Sequence, residues 1–169
     1  MSKRLRQYIG IFAAIAAYYL VHEGAHLLYA VLTGTFRQIC FMGIGMQIET
    51  DSERMTDAQL GMFCLVGPAA ALCTGYLLTA LSKRIGEQKS RMLRAVMYYI
   101  TIALLLIDPL YLSVLCGLFG GGDMNGIALL LPEWGARGLA GLVLIANGFL
   151  FWKYVLPVYR KSFCGQVQG

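Results

Sequence analysis

Four long apolar stretches, at residues 8–33, 59–81, 95–118 and 138–157, dominate this 169-residue chain. Each is close to the roughly 20 residues that a helix needs to cross a hydrocarbon core. In lipid every backbone N–H and C=O must be satisfied within its own segment, so such stretches can only be helices. The fold class expected is an all-α polytopic membrane protein with four transmembrane helices, forming one membrane-embedded domain over residues 1–169. Composition agrees. Hydrophobic residues make up 58% and charged residues 14%, against about 45–50% and about 25% in soluble domains. This excludes a disordered tail, a coiled coil and a secreted disulfide scaffold. A soluble domain this small could not hide so much apolar surface.

The net charge of +5 is unevenly spread. Lys3, Arg4 and Arg6 precede the first stretch. Lys83, Arg84, Lys89, Arg91 and Arg94 lie between the second and third, and Lys153, Arg160 and Lys161 lie at or beyond the C-terminal end of the last. The other two loops carry only Arg37, Arg54 and Arg137. The positive-inside rule then puts both termini and the 82–94 loop in the cytoplasm. No nucleic-acid partner is expected, because these basic clusters flank apolar sequence rather than form a binding stripe. Ala14-Ile15-Ala16 has the small-x-small spacing of a cleavage site, but the apolar region runs on past it, so a retained helix is expected. The five cysteines, Cys40, Cys64, Cys73, Cys116 and Cys164, have no C-x-x-C pair, which gives neither a disulfide framework nor a zinc knuckle.

Local signals refine this outline. Thr56 and Gln59 have capping-box spacing, with Asp57 in the positive first turn of the second helix. Gly67, Ala71 and Gly75 recur every four residues, a small-residue stripe that admits a close helix neighbour. Pro68 is expected to kink or open that helix. Residues 36–50, rich in β-formers with glycines at 43 and 45, read either as a short hairpin at the membrane surface or as an irregular interfacial loop.

The chemistry concentrates in the first stretch, which contains His22-Glu23-Gly24-Ala25-His26, an H-E-x-x-H motif. Residues four apart share a helix face, so both imidazoles can reach one metal ion. Glu23, beside the first ligand, can act as general base on a water. The chain has only two histidines and both are here. Ionisable groups are costly inside a membrane and mark function by default. The bland alternative is a polar cluster that ties helices together. Zinc suits two imidazoles plus a carboxylate, with one position left open. Glu49, Asp51, Glu53 and Asp57 lie in a polar loop and read as solvated. Asp108 and Asp123 are the carboxylates beside apolar sequence. Asp123, in Gly120-Gly121-Gly122-Asp123-Met124-Asn125-Gly126, is the preferred third ligand, with a short apolar helix starting there. Asp108 precedes Pro109 and could instead cap a broken helix.

These motifs together resemble the site-2 protease family of intramembrane zinc metalloproteases. That family carries H-E-x-x-H on one membrane helix and a glycine-flanked aspartate on a later one, positions matched by His22, Glu23, His26 and Asp123. Gly67-Pro68-Ala69-Ala70-Ala71 is similar to its G-P-x-x-N element, and residues 36–50 to its strand-forming loop. The likeness covers about residues 8–130. Two departures stand out: the aspartate motif reads G-D-M-N-G rather than L-D-G, and Ala71 replaces the asparagine, for which Asn125 and Asn147 are the available substitutes. The resemblance implies an endopeptidase with one zinc ion held by His22, His26 and Asp123, with Glu23 as general base. Its substrate would be a membrane protein cut in or near a transmembrane segment in the lipid bilayer. The chain reads as a minimal core served by a regulatory membrane partner. The rival is a non-proteolytic membrane protein that keeps the metal site for regulation, transport or scaffolding.

With the N-terminus inside, His22 and His26 lie past the middle of the first helix, toward the outer leaflet. The family resemblance implies a site nearer the cytoplasm. Topology reporters fused at residues 54, 88 and the C-terminus discriminate: the charge distribution predicts a cytoplasmic signal at 88 and the C-terminus and an external one at 54, and the reverse pattern would overturn the orientation.

Overall fold

A computed structural model describes residues 2–42 and 45–164 of the chain. The first apolar stretch forms a single 30-residue helix, α1 (Lys3–Leu32). It starts five residues before the apolar run because Ser2 caps it, its hydroxyl accepting from the Leu5 N–H at 3.2 Å. Thr33 ends it, donating its hydroxyl to the Tyr29 carbonyl at 2.9 Å. Gly34, at φ +69°, then turns the chain.

Of the two readings of residues 36–50, the hairpin is the one formed. Strands β1 (Phe36–Met42) and β2 (Gly45–Thr50) pair antiparallel, with Ile39 opposite Ile48 and Cys40 opposite Gln47, and a bulge between Phe36 and Gln38. Gly43 and Ile44, between them, lie outside the described residues. The Asp51 N–H donates to the Thr35 carbonyl at 2.8 Å and closes the base. Ile48 points inward and is 3% exposed, fixing the hairpin to the bundle end.

Helix α2 (Asp57–Ala80) begins with the expected capping box: the Thr56 hydroxyl accepts from Gln59 N–H and the Gln59 side chain from Thr56 N–H. The helix runs on through Pro68 to Ala80. Gly67, Ala71 and Gly75 are all buried. A Cβ on Gly75 would lie 2.9 Å from Leu105, so the stripe does bring a neighbour close.

The short α3 (Ser82–Gly86) leads to α4 (Arg91–Leu110), capped by Ser90. A π turn (Tyr111–Leu115) continues α4 into α5 (Cys116–Phe119). Three consecutive positive-φ glycines, 120–122, reverse the chain into α6 (Asp123–Ile127). The last span comprises α7 (Glu133–Leu150), a π turn (Phe151–Val155) and α8 (Leu156–Cys164). Four helical segments, Lys3–Leu32, Asp57–Ala80, Arg91–Phe119 and Glu133–Phe163, are long and apolar enough to cross a membrane. The chain is mostly helical, with one small two-strand sheet. Phe12, Leu20, Leu142 and Ile145 are among the exposed apolar residues of these helices, compatible with a multi-pass membrane protein.

Contacts fix the helix directions. Tyr99 of α4 packs on Gly10 of α1, and Asp108 of α4 meets Tyr18 and His22 further along α1, so these two helices run parallel. Tyr98 meets both Phe151 and Tyr159, while Arg137 donates to the Ser113 carbonyl, so the last span runs antiparallel to α4. The connectivity is therefore up-down-up-down. Ala30, Ile48, Phe63, Cys64, Met124 and Ile127 belong to a core at the end where the hairpin and α6 dock.

One buried polar link follows from a proline. Pro109 has no N–H, so the carbonyl four residues earlier, Leu105, loses its helical donor. Asn147 on α7 replaces it: Nδ2 donates to the Leu105 carbonyl at 2.8 Å, and Oδ1 accepts from Tyr76 on α2 at 2.8 Å. Asn147 is 1% exposed. Asn147→Leu is expected to lower unfolding stability in micelles by about 1–2 kcal/mol, the range for buried interhelical hydrogen bonds. Tyr76→Phe, which removes one of the two bonds, should cost less. Thermal and denaturant unfolding check both.

Candidate metal centre

The two histidines sit one turn apart on the inner face of α1, 7% and 3% exposed. The three-glycine turn delivers Asp123, the first residue of α6, against them. His22 Nε2 lies 3.1 Å from His26 Nε2 and 3.1 Å from Asp123 Oδ2, and His26 Nε2 lies 3.5 Å from Asp123 Oδ1. Offering one ligand atom each, His22, His26 and Asp123 form a group that could hold a metal ion.

The outer ring nitrogens decide what those inner atoms carry. His26 Nδ1 is 2.8 Å from the Phe63 carbonyl, an acceptor only, so this nitrogen holds the proton. His22 Nδ1 is 3.1 Å from Asp108 Oδ1, and a carboxylate likewise calls for a proton there. Tyr18 donates to the same oxygen at 2.5 Å. In the neutral rings both Nε2 atoms then present lone pairs, facing each other and a carboxylate. A proton on one Nε2 serves one of these contacts, whereas a cation between them serves all three. A tetrahedral ion with bonds of about 2.0–2.2 Å has ligand–ligand edges of about 3.3–3.6 Å. The observed separations of 3.1, 3.1 and 3.5 Å match that scale.

Gly67 of α2 closes the back of this group. A Cβ there would overlap His26 Nε2 and lie 2.9 Å from His22 Nε2. The glycine stripe thus serves the site as well as helix packing. The glycines of the turn are needed too: a Cβ on Gly121 would overlap the Asn125 side chain, and one on Gly122 would meet the Tyr111 hydroxyl.

Glu23 is partly exposed beside the histidines, and its carboxylate faces the backbone N–H of Ile48 on β2. It borders a cavity of about 560 Å³, shared with His26, Asp123, Ile48, Tyr111 and Asn125. A second cavity of about 370 Å³, lined by Tyr18, His22 and Asp108 among others, also reaches Glu23 and Asp123. The site is therefore accessible from two sides of α1.

Against the sequence reading, His22, Glu23, His26 and Asp123 come together. Asp108 stands outside that group: it lies inside α4, 2% exposed, with Oδ1 against the outer ring nitrogen of His22. The loop carboxylates are not part of the group. Gln38 and Cys40 donate to Glu49, and these bonds hold its carboxyl below the usual range; Asp51 pairs with Arg54 at 3.1 Å. Of the two asparagines weighed, Asn125 lines the larger cavity and Asn147 serves α4 instead. Sequence reasoning missed Tyr18, the Phe63 carbonyl and the contact of Gly67. Tyr18 alone had a signal, its position four residues before His22 on the same face.

Comparison with protein-family models, curated proteins and solved structures finds no match for this chain.

Gly67→Ala tests the geometry. The added methyl intrudes between the ligand nitrogens, so metal affinity should fall at least about tenfold, as for other perturbed ligand shells. The helical content should persist. Elemental analysis with circular dichroism reads both, and full metal retention would show that the Nε2 atoms do not converge on an ion.

Proposed function

We propose that this protein is an intramembrane zinc endopeptidase that hydrolyses a peptide bond in or near a transmembrane segment of another membrane protein. The observation that carries this reading is the convergence of two imidazole nitrogens and a carboxylate beside Glu23, at the edge of a cavity inside an apolar bundle. Two nitrogens and one carboxylate oxygen are a donor set suited to zinc, and three protein ligands leave one position for chemistry. His22, His26 and Asp123 would hold the ion, with Asp108 and the Phe63 carbonyl fixing the ring orientations. Bound zinc polarises a carbonyl and lowers the pKa of water toward about 7.

The rest falls to the chain's own groups. Glu23 takes a proton from the water as its oxygen attacks the scissile carbonyl carbon. The same carboxyl then gives that proton to the departing amine as the C–N bond breaks. Asn125 and Tyr111 border the same cavity and offer N–H and O–H donors for the developing oxyanion. A substrate helix must unwind before its amide is accessible. β2 lines the cavity and, among the described residues, pairs on one edge only. An extended substrate segment can add to the other edge, with main-chain hydrogen bonds replacing those lost on unwinding.

This reading extends the likeness to site-2 proteases noted from the sequence. The alternative, a metal site kept for regulation, transport or scaffolding, gives no use to a carboxylate placed as Glu23 is. Purified protein should contain about one zinc per chain. Glu23→Gln should keep that zinc while cleavage of membrane-spanning peptides falls about 10²–10⁴-fold, the range for a general base. Unchanged cleavage by Glu23→Gln would remove Glu23 from the mechanism. Zinc without cleavage across a broad peptide panel would favour the non-proteolytic role.

A further inference from the structure

The opposite end of the bundle carries a separate cavity, of about 480 Å³. Up-down-up-down connectivity brings together there the start of α1, the start of α4 and the end of α8. Lys3, Arg6, Arg91 and Arg160 line it, one or two from each of the three basic clusters that the sequence keeps far apart. His22 follows Lys3 by 19 positions in α1, about 28 Å along the axis at the helical rise, so this cavity is remote from the metal centre.

The walls are built rather than incidental. Tyr99 packs on Gly10, where a Cβ would overlap the ring, and this holds α1 against α4 beneath the cavity. Tyr98 packs edge-on against Tyr159 at 5.2 Å, and Tyr159 is 1% exposed. The Arg94 guanidinium lies 5.4 Å over the Phe163 ring. The result is an aromatic and aliphatic floor under a cationic rim. Two long helices, capped by Ser2 and Ser90, also begin at this rim, and their N-terminal dipole ends add partial positive charge.

We propose that this cavity binds the phosphate of an anionic phospholipid, with the rim arginines on the phosphate oxygens and the glycerol–acyl portion against the tyrosine-lined floor. Arginine matches phosphate geometry with paired N–H donors. Basic pockets between helix ends at a membrane surface suit anionic headgroups. The volume lies within the range of small-ligand sites. A free inorganic phosphate would use the rim and leave the apolar floor without a partner, which favours the lipid as the source of the anion. This proposal is independent of the zinc-protease reading, since it shares no residue with that site.

The test uses the full chain, purified in an uncharged detergent, stripped of lipid, and offered phosphatidylglycerol or phosphatidylcholine under native mass spectrometry. Phosphatidylglycerol should be retained at least about tenfold better than phosphatidylcholine, the selectivity of one good charge-assisted contact. The double variant Arg91→Gln, Arg160→Gln should abolish most of that preference. Lys83→Gln with Lys89→Gln, charges near the same bundle end but outside the cavity, should leave it within about twofold. If the first pair fails to fold by circular dichroism, Lys3→Gln with Arg6→Gln takes its place. Equal loss from pocket and control pairs, or no preference for phosphatidylglycerol, would overturn the proposal. A parallel titration with inorganic phosphate separates the two sources: binding of phosphate alone without lipid selectivity would assign the site to a small anion and overturn the lipid assignment.

Discussion

Two imidazole nitrogens and a carboxylate, all lone-pair donors, are held within hydrogen-bonding distance of one another in an apolar interior. That is the constraint to which the rest of this molecule is fitted. In a medium of low dielectric such an arrangement is strongly unfavourable unless positive charge sits among the three groups. It is not an accident of rotamers, because each ring is pinned from behind. The Phe63 carbonyl holds His26 and the Asp108 carboxylate holds His22, so neither ring can turn to offer a proton inward without abandoning a buried partner. Tyr18 in turn donates to the Asp108 oxygen that faces His22. Gly67 removes the one side chain that would have occupied the space. The helix packing, the placement of Asp108 and the glycine-rich turn are thus parts of one electrostatic arrangement, a group that could hold a cation.

How much of this could be read from the chain depends on the range over which each feature is determined. The four spans, the capping box at Thr56 and the shared face of His22 and His26 are local, set by composition and helical period, and these were legible. The hairpin was half legible: the β-forming residues are plain, but pairing over an irregular loop is decided by Ile48 finding the core. The contact of Asp108 with His22 was not legible, because it depends on α1 and α4 running parallel in contact, a relation between residues about ninety apart that no window reveals. Pro109 invited a broken helix. Instead the backbone group it orphans is satisfied by Asn147 from another span, a tertiary compensation invisible to local rules. Gly67, Ala71 and Gly75 were visible as a stripe, but a stripe does not say that one glycine faces two imidazoles while another faces a leucine.

The two ends of the bundle are built from opposite materials. At the end that carries His22, His26 and Asp123 the chain uses a three-glycine turn, a one-turn helix and a hairpin, elements that can place a carboxylate and a strand edge where regular helices cannot. The opposite end is made of helix termini, aromatic rings and long cationic side chains. The parallel pair α1 and α4 spans both, joined by Tyr99 on Gly10 near one end and by Asp108 on His22 toward the other. A change in spacing between these two helices would alter both ends at once.

The π turn after Pro109 shows how the third span reconciles these demands. An α-helix carried straight through would keep one face inward at fixed intervals of about 3.6 residues. Inserting a wide turn shifts the residues that follow around the axis, and such insertions recur near functional sites. Here Asp108 points to α1, Tyr111 reaches the cavity beside Asp123, and Leu112 and Cys116 still pack in the core. The proline that opens the ladder also frees the Leu105 carbonyl for Asn147, so the same residue that permits the irregular turn recruits the fourth span to lock it. The third span therefore supplies the orienting carboxylate, a wall of the cavity and the anchor for α7 from a single stretch around one imino acid.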